Sequence, residues 1–337
     1  SLAAPRASAD QRHLKVIEVN RGHLPVCVFR GHPGPCSVAR QGGSGAVAWH
    51  SPRMLAYRHA FHAGNHADVL KHAILVGVLQ HMNLKAKGYR VIDTHAGAGA
   101  YALGGRLSQM KREYDSGIAR LWPQADLPPL VSAYVEQVRA FNGDGALRQY
   151  PGSPALAHQL MREQDQLRLF ELHATDHAQL AGRMRGDTRV EVRPADGFGV
   201  LKAQLPPPTR RGLLLIDPSY EIKTDYVRVL GALREALTRF AECTVVIWLP
   251  QLALLDAAKL PQRLKAAATG SAPKGWLLAR LSVAHPKERG FGMLGSLVFV
   301  ANPPHTLAPA LRKSLPWLAS HLADDESAAG WACESSG

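Results

Sequence analysis

Four consecutive aliphatic residues, Leu213-Leu214-Leu215-Ile216, constrain the fold of this 337-residue chain more than any other feature. With no polar alternation, such a run reads as a strand buried on both faces, which calls for a parallel sheet covered by helices on each side. The chain then turns at once to Asp217-Pro218-Ser219-Tyr220. Open α/β sheets place ligands at the carboxyl ends of their strands, so chemistry belongs here. A carboxylate at that point accepts the N–H groups of a planar amine, an aromatic ring stacks on its base, and proline lacks a competing N–H donor. The set suits methylation of an exocyclic amino group on a nucleobase. Asp-Pro after a strand is also an ordinary turn opening, so the reading needs a nucleotide-binding strand upstream.

Residues 89–93 supply it. That strand ends in Asp93, and Thr94-His95-Ala96-Gly97-Ala98-Gly99 forms a glycine-rich turn where backbone can approach a nucleotide. Gly97, Gly99 and Ala102 also satisfy a dinucleotide fingerprint, which needs an acid at a strand end about twenty residues on. Glu113 and Asp115 fall instead in a helix-like stretch. NAD is therefore the second choice, behind a cofactor carrying a methionine moiety. Further on, 167–171 is a short strand ending in Glu171, and 189–192 leads to Ala195-Asp196-Gly197. Carboxylates at those mouths suit ribose hydroxyls and an adenine amine.

The rest of the chain fits one large α/β domain over 54–322. About seven strands are expected, mostly parallel, with one antiparallel strand supplied by a hairpin of 275–284 and 296–301 around a basic, glycine-rich turn. A helical insertion at about 103–150 interrupts the βα rhythm, with segments near 108–122 and 129–141. A helix over 66–82 shows an apolar face in Val69, Ala73, Val76 and Leu79. Residues 1–53, rich in Gly, Pro, Arg and Ala, read as a disordered basic extension ahead of Met54, and 323–337 as a loose tail. Hydrophobic residues make up 46% and charged residues 20%, a globular composition, and the net charge of +13 favours an anionic partner. No apolar run is long enough to span a membrane. The four cysteines show no CxxC spacing, which points away from zinc and disulfides and toward the cytoplasm. Four histidines cluster from His59 onward without cysteines or paired carboxylates, so hydrogen bonding or phosphate contact is expected of them rather than metal binding.

Taken together, the motifs resemble the RlmJ-type 23S rRNA adenine-N6 methyltransferases, a Rossmann-like class that uses S-adenosylmethionine. The matching stretches are LAYRHAFHAGNHADVLK at 55–71, DTHAGAG at 93–99, YPGSP at 150–154, REQD at 162–165, ADGF at 195–198, RRG at 210–212 and KTDY at 223–226. The likeness runs from 54 to about 322, and residues 1–53 have no counterpart in it. It implies cofactor contacts at His72, His95, Ser153, Glu171, Asp196 and Gly197, beside Asp93, Gly97 and Gly99 of the glycine turn. It makes Asp217 the catalytic acid, completed by Pro218 and Tyr220, and places Tyr57, His59 and Lys71 near the substrate on a segment that closes over it. One departure stands out: the family's Asp-Pro-Pro-Tyr is Asp-Pro-Ser-Tyr here. The partner implied is 23S rRNA, free or partly assembled, with Arg58, Lys71, Arg210 and Arg211 facing phosphates; a monomer without metal or membrane is expected. Two rivals share the fold: a DNA adenine-N6 methyltransferase, and a non-catalytic RNA-binding or ribosome-assembly protein.

Overall fold

The structure, a computed structural model, describes residues 59–143, 145–285 and 292–336. The expected extension at 1–53, Tyr57, Arg58 and the basic turn residues 287–291 lie outside the described residues. A short 3₁₀ turn, His59–Phe61, leads to α1 (His66–Asn83) and β1 (Arg90–Asp93). Strands β2 (Ala100–Ala102) and β3 (Gln149–Pro151) pair with each other and bracket α2 (Arg106–Lys111), α3 (Ile118–Leu121) and α4 (Pro129–Asn142). Then follow α5 (Ser153–Leu160), β4 (Gln166–Phe170), α6 (Ala174–Arg183), β5 (Val190–Arg193), α7 (Leu201–Gln204), β6 (Gly212–Ile216) and α8 (Thr224–Arg239). The chain continues through β7 (Thr244–Gln251), α9 (Leu255–Ala268), β8 (Trp276–Ser282), β9 (Gly295–Ala301), α10 (Leu307–Leu322) and β10 (Gly330–Ser335).

The main sheet has the order β10-β8-β9-β7-β6-β1-β4-β5. Strands β5, β4, β1, β6 and β7 are parallel, while β9 runs antiparallel to both β7 and β8. The chain leaves β1 for β4 and β5 on one side and returns to β6 on the other. The order therefore reverses beside β1, which is where open α/β sheets leave a crevice. Every residue of β6 is buried. Leu213 and Leu215 pack into one core with α1, α4, α5 and α10, whereas Leu214 and Ile216 join the other with α8 and α9. The unbroken aliphatic run is the signature of those two cores meeting at one strand.

Two expectations are corrected. The sheet has eight strands rather than about seven, because the tail expected to be loose contributes β10. It pairs antiparallel with β8 from Gly330↔Ser282 to Ser335↔Leu277, and Lys265 reaches its Glu334 at 2.6 Å. An edge strand covered on one side needs little hydrophobicity, so its sequence looked like a tail. The helix expected near 108–122 is broken. Arg112 takes a left-handed φ of 50°, and a 3₁₀ turn, Glu113–Ser116, intervenes. The break lets the insertion dock on the start of α1. Ile118 N–H donates to the Gly64 carbonyl at 2.8 Å, and a Cβ on Gly117 would sit 2.0 Å from that same oxygen.

Candidate active site

The parallel strands deliver three carboxylates to one side of the sheet: Glu171 just after β4, Asp196 after β5 and Asp217 after β6. Between them and the glycine turn after β1 lies a cavity of about 230 Å³. Gly97 has φ +59°, and a Cβ on it would stand 2.3 Å from the Tyr101 hydroxyl, so the turn needs glycine to form. The Gly97 N–H donates to Glu171 Oε2 at 2.8 Å and the His173 N–H donates to Oε1 at 2.6 Å. Burial pushes the Glu171 carboxyl upward in pKa, against those two donors. Each of its oxygens keeps a second lone pair for a ligand hydroxyl. Asp196 accepts the Phe198 N–H at 3.1 Å and pairs with Arg228. The Phe198 ring lies under the Arg228 guanidinium at 4.4 Å and meets the His95 ring edge-on at 4.8 Å. Burial lowers His95 to about 4, so it lines the cavity as a neutral imidazole. Leu172 and Ile222, both large and exposed, complete the lining. Acids beside exposed apolar walls suit an adenosine group, and a glycine cradle admits its neighbour.

A second cavity, about 480 Å³, opens on the other side of Asp217 and shares His59, Lys71, Asp217 and Ser219 with the first. At this shared wall Lys71 is 3% exposed, with Nζ 2.5 Å from Asp217 Oδ2 and 2.8 Å from Asp68 Oδ1. Burial works against the charge on Lys71, but Asp217 and Asp68 outweigh it and hold the ammonium above the usual lysine range. Burial also opposes the charge on Asp68, yet His59 and Lys71 keep that carboxyl well below the usual range. His59 Nε2 lies 2.9 Å from Asp68 Oδ2, and the Gly64 N–H donates to the same oxygen at 2.9 Å. Trp248 and His66 line the second cavity, and their Nε1 and Nδ1 are buried without hydrogen-bond partners among the described residues. Burial lowers His66 to about 4, leaving a neutral ring.

The residues singled out from sequence divide accordingly. His72, His95, Gly97, Ser153, Glu171, Asp196 and Gly197 line the first cavity, while Lys71, His59 and Asp217 stand on the wall between the two. Pro218 lines the first cavity. His72 is 1% exposed, with Nδ1 2.7 Å from the Tyr150 hydroxyl and Nε2 buried 4.0 Å from Asp68 Oδ1. Four expectations are corrected. Asp93 lies behind the wall rather than on it: 1% exposed, it accepts Ser153 Oγ–H at 2.7 Å and His95 N–H at 3.2 Å. Gly99 also lies outside the lining, at φ +80° with Leu180 where a Cβ would go. Tyr220 is buried and turned away from both cavities. Its hydroxyl donates to the Trp248 carbonyl at 2.8 Å and its ring packs against Tyr226 and Trp248, so it braces the loop from behind instead of presenting a stacking face. Arg211 is at the far end of the sheet, over Tyr89 and donating to the Met82 and Lys87 carbonyls. Those contacts take Arg211 from the phosphate role expected of it; Arg210, its exposed neighbour just before β6, is not tied down in this way.

Several residues at the site escaped the sequence reading: Asp68, Phe198, Arg228 and the Tyr134–Tyr150 hydroxyl pair at 2.9 Å. Asp68 had a usable signal, since an acid three residues before Lys71 shares its helix face. Tyr220 also carries a left-handed φ of 56°, an outlier for an aromatic residue that costs of order 1–3 kcal/mol and concentrates at functional loops.

Comparison with known proteins agrees with the geometry. Residues 86–334 match the family model described as Ribosomal RNA large subunit methyltransferase D, RlmJ. The chain is 45% identical over 269 residues to Ribosomal RNA large subunit methyltransferase J of Escherichia coli K12, spanning 80% of this chain and 94% of that one. It is 42% identical over 282 residues to the Haemophilus influenzae protein of the same name, spanning 83% and 98%. Among solved structures, protein LPL1258 of Legionella pneumophila superposes with a TM-score of 0.74 at 30% identity, over 82% of this chain and 99% of that one. With most of its length and its whole strand-mouth constellation inside these matches, the chain belongs to the RlmJ family of large-subunit ribosomal RNA methyltransferases.

Proposed function

We propose that the protein transfers the methyl group of S-adenosylmethionine to N6 of an adenine in 23S rRNA, acting as a cytoplasmic monomer on free or partly assembled RNA. One observation carries the reading: Asp217, at the end of a fully buried strand, stands on the wall common to two cavities of different character. The first suits the cofactor, with Glu171 and Asp196 for hydroxyl and amino groups, Leu172, Phe198 and Ile222 for a ring, and glycine backbone at Gly97. Bound there, S-adenosylmethionine supplies an electrophilic methyl on a sulfonium. The second, about 480 Å³, has room for an extruded base beside Asp217, with Trp248 and Pro250 on its wall.

The N6 lone pair is delocalised into the purine ring and is a poor nucleophile. Lys71 fixes Asp217 through Oδ2, which leaves Oδ1 to accept one N6 proton, while the Pro218 carbonyl accepts the other. Holding both N–H groups localises the lone pair and aims it across the shared wall. Alignment and fixed dipoles in a water-poor site then supply the acceleration. Extruding a paired adenine costs a few kcal/mol, offset by phosphate contacts to a chain of net charge +13. The test incubates the protein with methyl-labelled S-adenosylmethionine and protein-free 23S rRNA, then resolves the digested nucleosides by mass spectrometry. Label in N6-methyladenosine from one site supports the reading. Label on another nucleobase, or equal labelling of a DNA duplex, contradicts it.

A further inference from the structure

We propose that Asp68 is a positioning residue for methyl transfer, fixing the Lys71 ammonium that faces Asp217 and the His59 turn that borders both cavities. The inference rests on the adenine-N6 reading above and goes beyond it, because Asp68 touches neither the transferred methyl nor the accepting nitrogen.

Asp68 sits in the first turn of α1, whose N-cap Asn65 already accepts the N–H groups of Ala67 and Asp68 itself. The helix start therefore does not need an acid as well to satisfy those donors. Asp68 is nonetheless 1% exposed, in surroundings that penalise an unpaired charge heavily. Its two oxygens divide the labour. Oδ2 accepts the Gly64 N–H and meets His59 Nε2, tying the 3₁₀ turn to α1. Oδ1 turns to Lys71 Nζ, one helical turn onward, and Lys71 in turn reaches Asp217 across 146 residues of sequence. A chain of polar contacts thus runs from His59 to Asp68, to Lys71 and to Asp217. The two outer members border the cavities, and Asp68 is the link without which the ammonium has a single anionic contact.

The ammonium held between two carboxylates cannot swing fully onto Asp217, so one oxygen of Asp217 stays open to the substrate amine. The groups that face Lys71 are Asp68 and His72 on α1, His59 on the 3₁₀ turn, Asp93 at the end of β1 and Asp217 after β6. Of these only Asp68 and Asp217 touch it as anions. Removing one leaves burial opposed by a single carboxylate, and the Lys71 proton becomes easier to lose.

Asp68→Asn tests this, since it keeps the side-chain shape and an oxygen for the Gly64 N–H. The expected result is a fall in kcat of roughly tenfold to a hundredfold, the scale of a small misplacement near reacting atoms. S-adenosylmethionine affinity by calorimetry should stay near wild type, and the alkaline limb of the kcat/KM profile should move to lower pH. In the Lys71→Met background the same substitution should cost little more, because its effect passes through Lys71. Wild-type kcat with an unmoved alkaline limb would overturn the proposal, as would full additivity with Lys71→Met. If Asp68→Asn does not fold, Asp68→Glu takes its place: the charge is kept but displaced by a methylene, so kcat should fall while the alkaline limb stays, and wild-type turnover would overturn the proposal. Wild type in the same assay must form N6-methyladenosine. A different wild-type product would sink the adenine reading itself, which separates the two failures.

Discussion

Replacing Lys71 by Met should destabilise the protein in a strongly pH-dependent way. Met keeps most of the aliphatic stem and removes only the ammonium, so packing changes little. What remains is Asp68 with a side chain 1% exposed and Asp217 at 13%, deprived of the cation both contact. Removing one partner from a buried ion pair costs about 3–5 kcal/mol. Asp217 has some access to its cavity, and Asp68 keeps the Gly64 N–H and His59, which places the cost near the lower end, about 3 kcal/mol. In a domain of this size that corresponds to a Tm lower by about 6–12 °C. The sign with pH follows from the two shifts. Asp68 is depressed in the folded state, so its contribution is present above the unfolded carboxylate range and is lost as pH falls through the folded value. Lys71 is raised, so its contribution persists below the unfolded lysine value and is lost only as pH rises through the folded one. The gap in Tm between wild type and variant should therefore be full from pH 8 down to about 5 and shrink only as pH falls through the unfolded carboxylate value, near 4, and below it. Calorimetric scans of both proteins across that range measure it. A gap that is constant with pH, or smaller than about 1 kcal/mol at neutral pH, would refute the claim that Lys71 neutralises two buried acids.

Gly197→Ala should lower stability by about 1–3 kcal/mol and weaken S-adenosylmethionine binding at least tenfold. A Cβ there would lie 2.0 Å from the Thr94 carbonyl oxygen and 2.5 Å from its Cα, forcing the two strand-mouth loops apart; unchanged affinity in a titration would deny that close approach. Asp93→Asn should gain on wild type as pH rises. Burial raises Asp93 from 3.8 to about 6, so its stabilising contribution is present below the unfolded value and lost as pH climbs through about 6, a relative change of about 3 kcal/mol by urea denaturation at pH 4 and 7.5. Ser219→Pro, which restores the family's Asp-Pro-Pro-Tyr, should leave turnover equal or higher. Equal cofactor binding with lost turnover would assign Ser219, which borders both cavities, a role of its own.

How much of this was legible depended on where the physics leaves a mark in the sequence. Strand β6 must satisfy two cores at once, so it spells itself out as an aliphatic run, and the acids after β4, β5 and β6 follow once that sheet is recognised. Strand β10 has one sheet neighbour and a partly exposed face, so Gly330, Ala332, Cys333 and Ser335 carry no such pattern. Asp68 left no mark of its role because spacing on a helix does not report burial. The clue was that α1 is apolar nearly all round, with Val69, Leu70, Ala73, Ile74, Leu75, Val76, Val78 and Leu79 buried, which belongs to an interior helix. The motif around Asp217 marks a strand mouth but not the directions of its side chains. Which way Tyr220 points is decided by its left-handed backbone and by the Trp248 carbonyl, neither of which adjoins it in sequence.

The account turns on Asp217, and Asp217→Asn under single-turnover conditions tests it most directly. The amide preserves size and one accepting oxygen, but it removes the charge, and its NH₂ group opposes the N–H groups of the substrate amine. With saturating RNA and labelled S-adenosylmethionine, the rate of N6-methyladenosine formation should fall at least a hundredfold, the scale seen when a fixed electrostatic partner of the reacting group is removed. Cofactor affinity, measured in the same samples, should remain within a few-fold of wild type, since Glu171, Asp196 and the glycine turn are untouched. A near-wild-type rate would contradict the account, and so would a loss of rate that merely tracks a loss of cofactor binding.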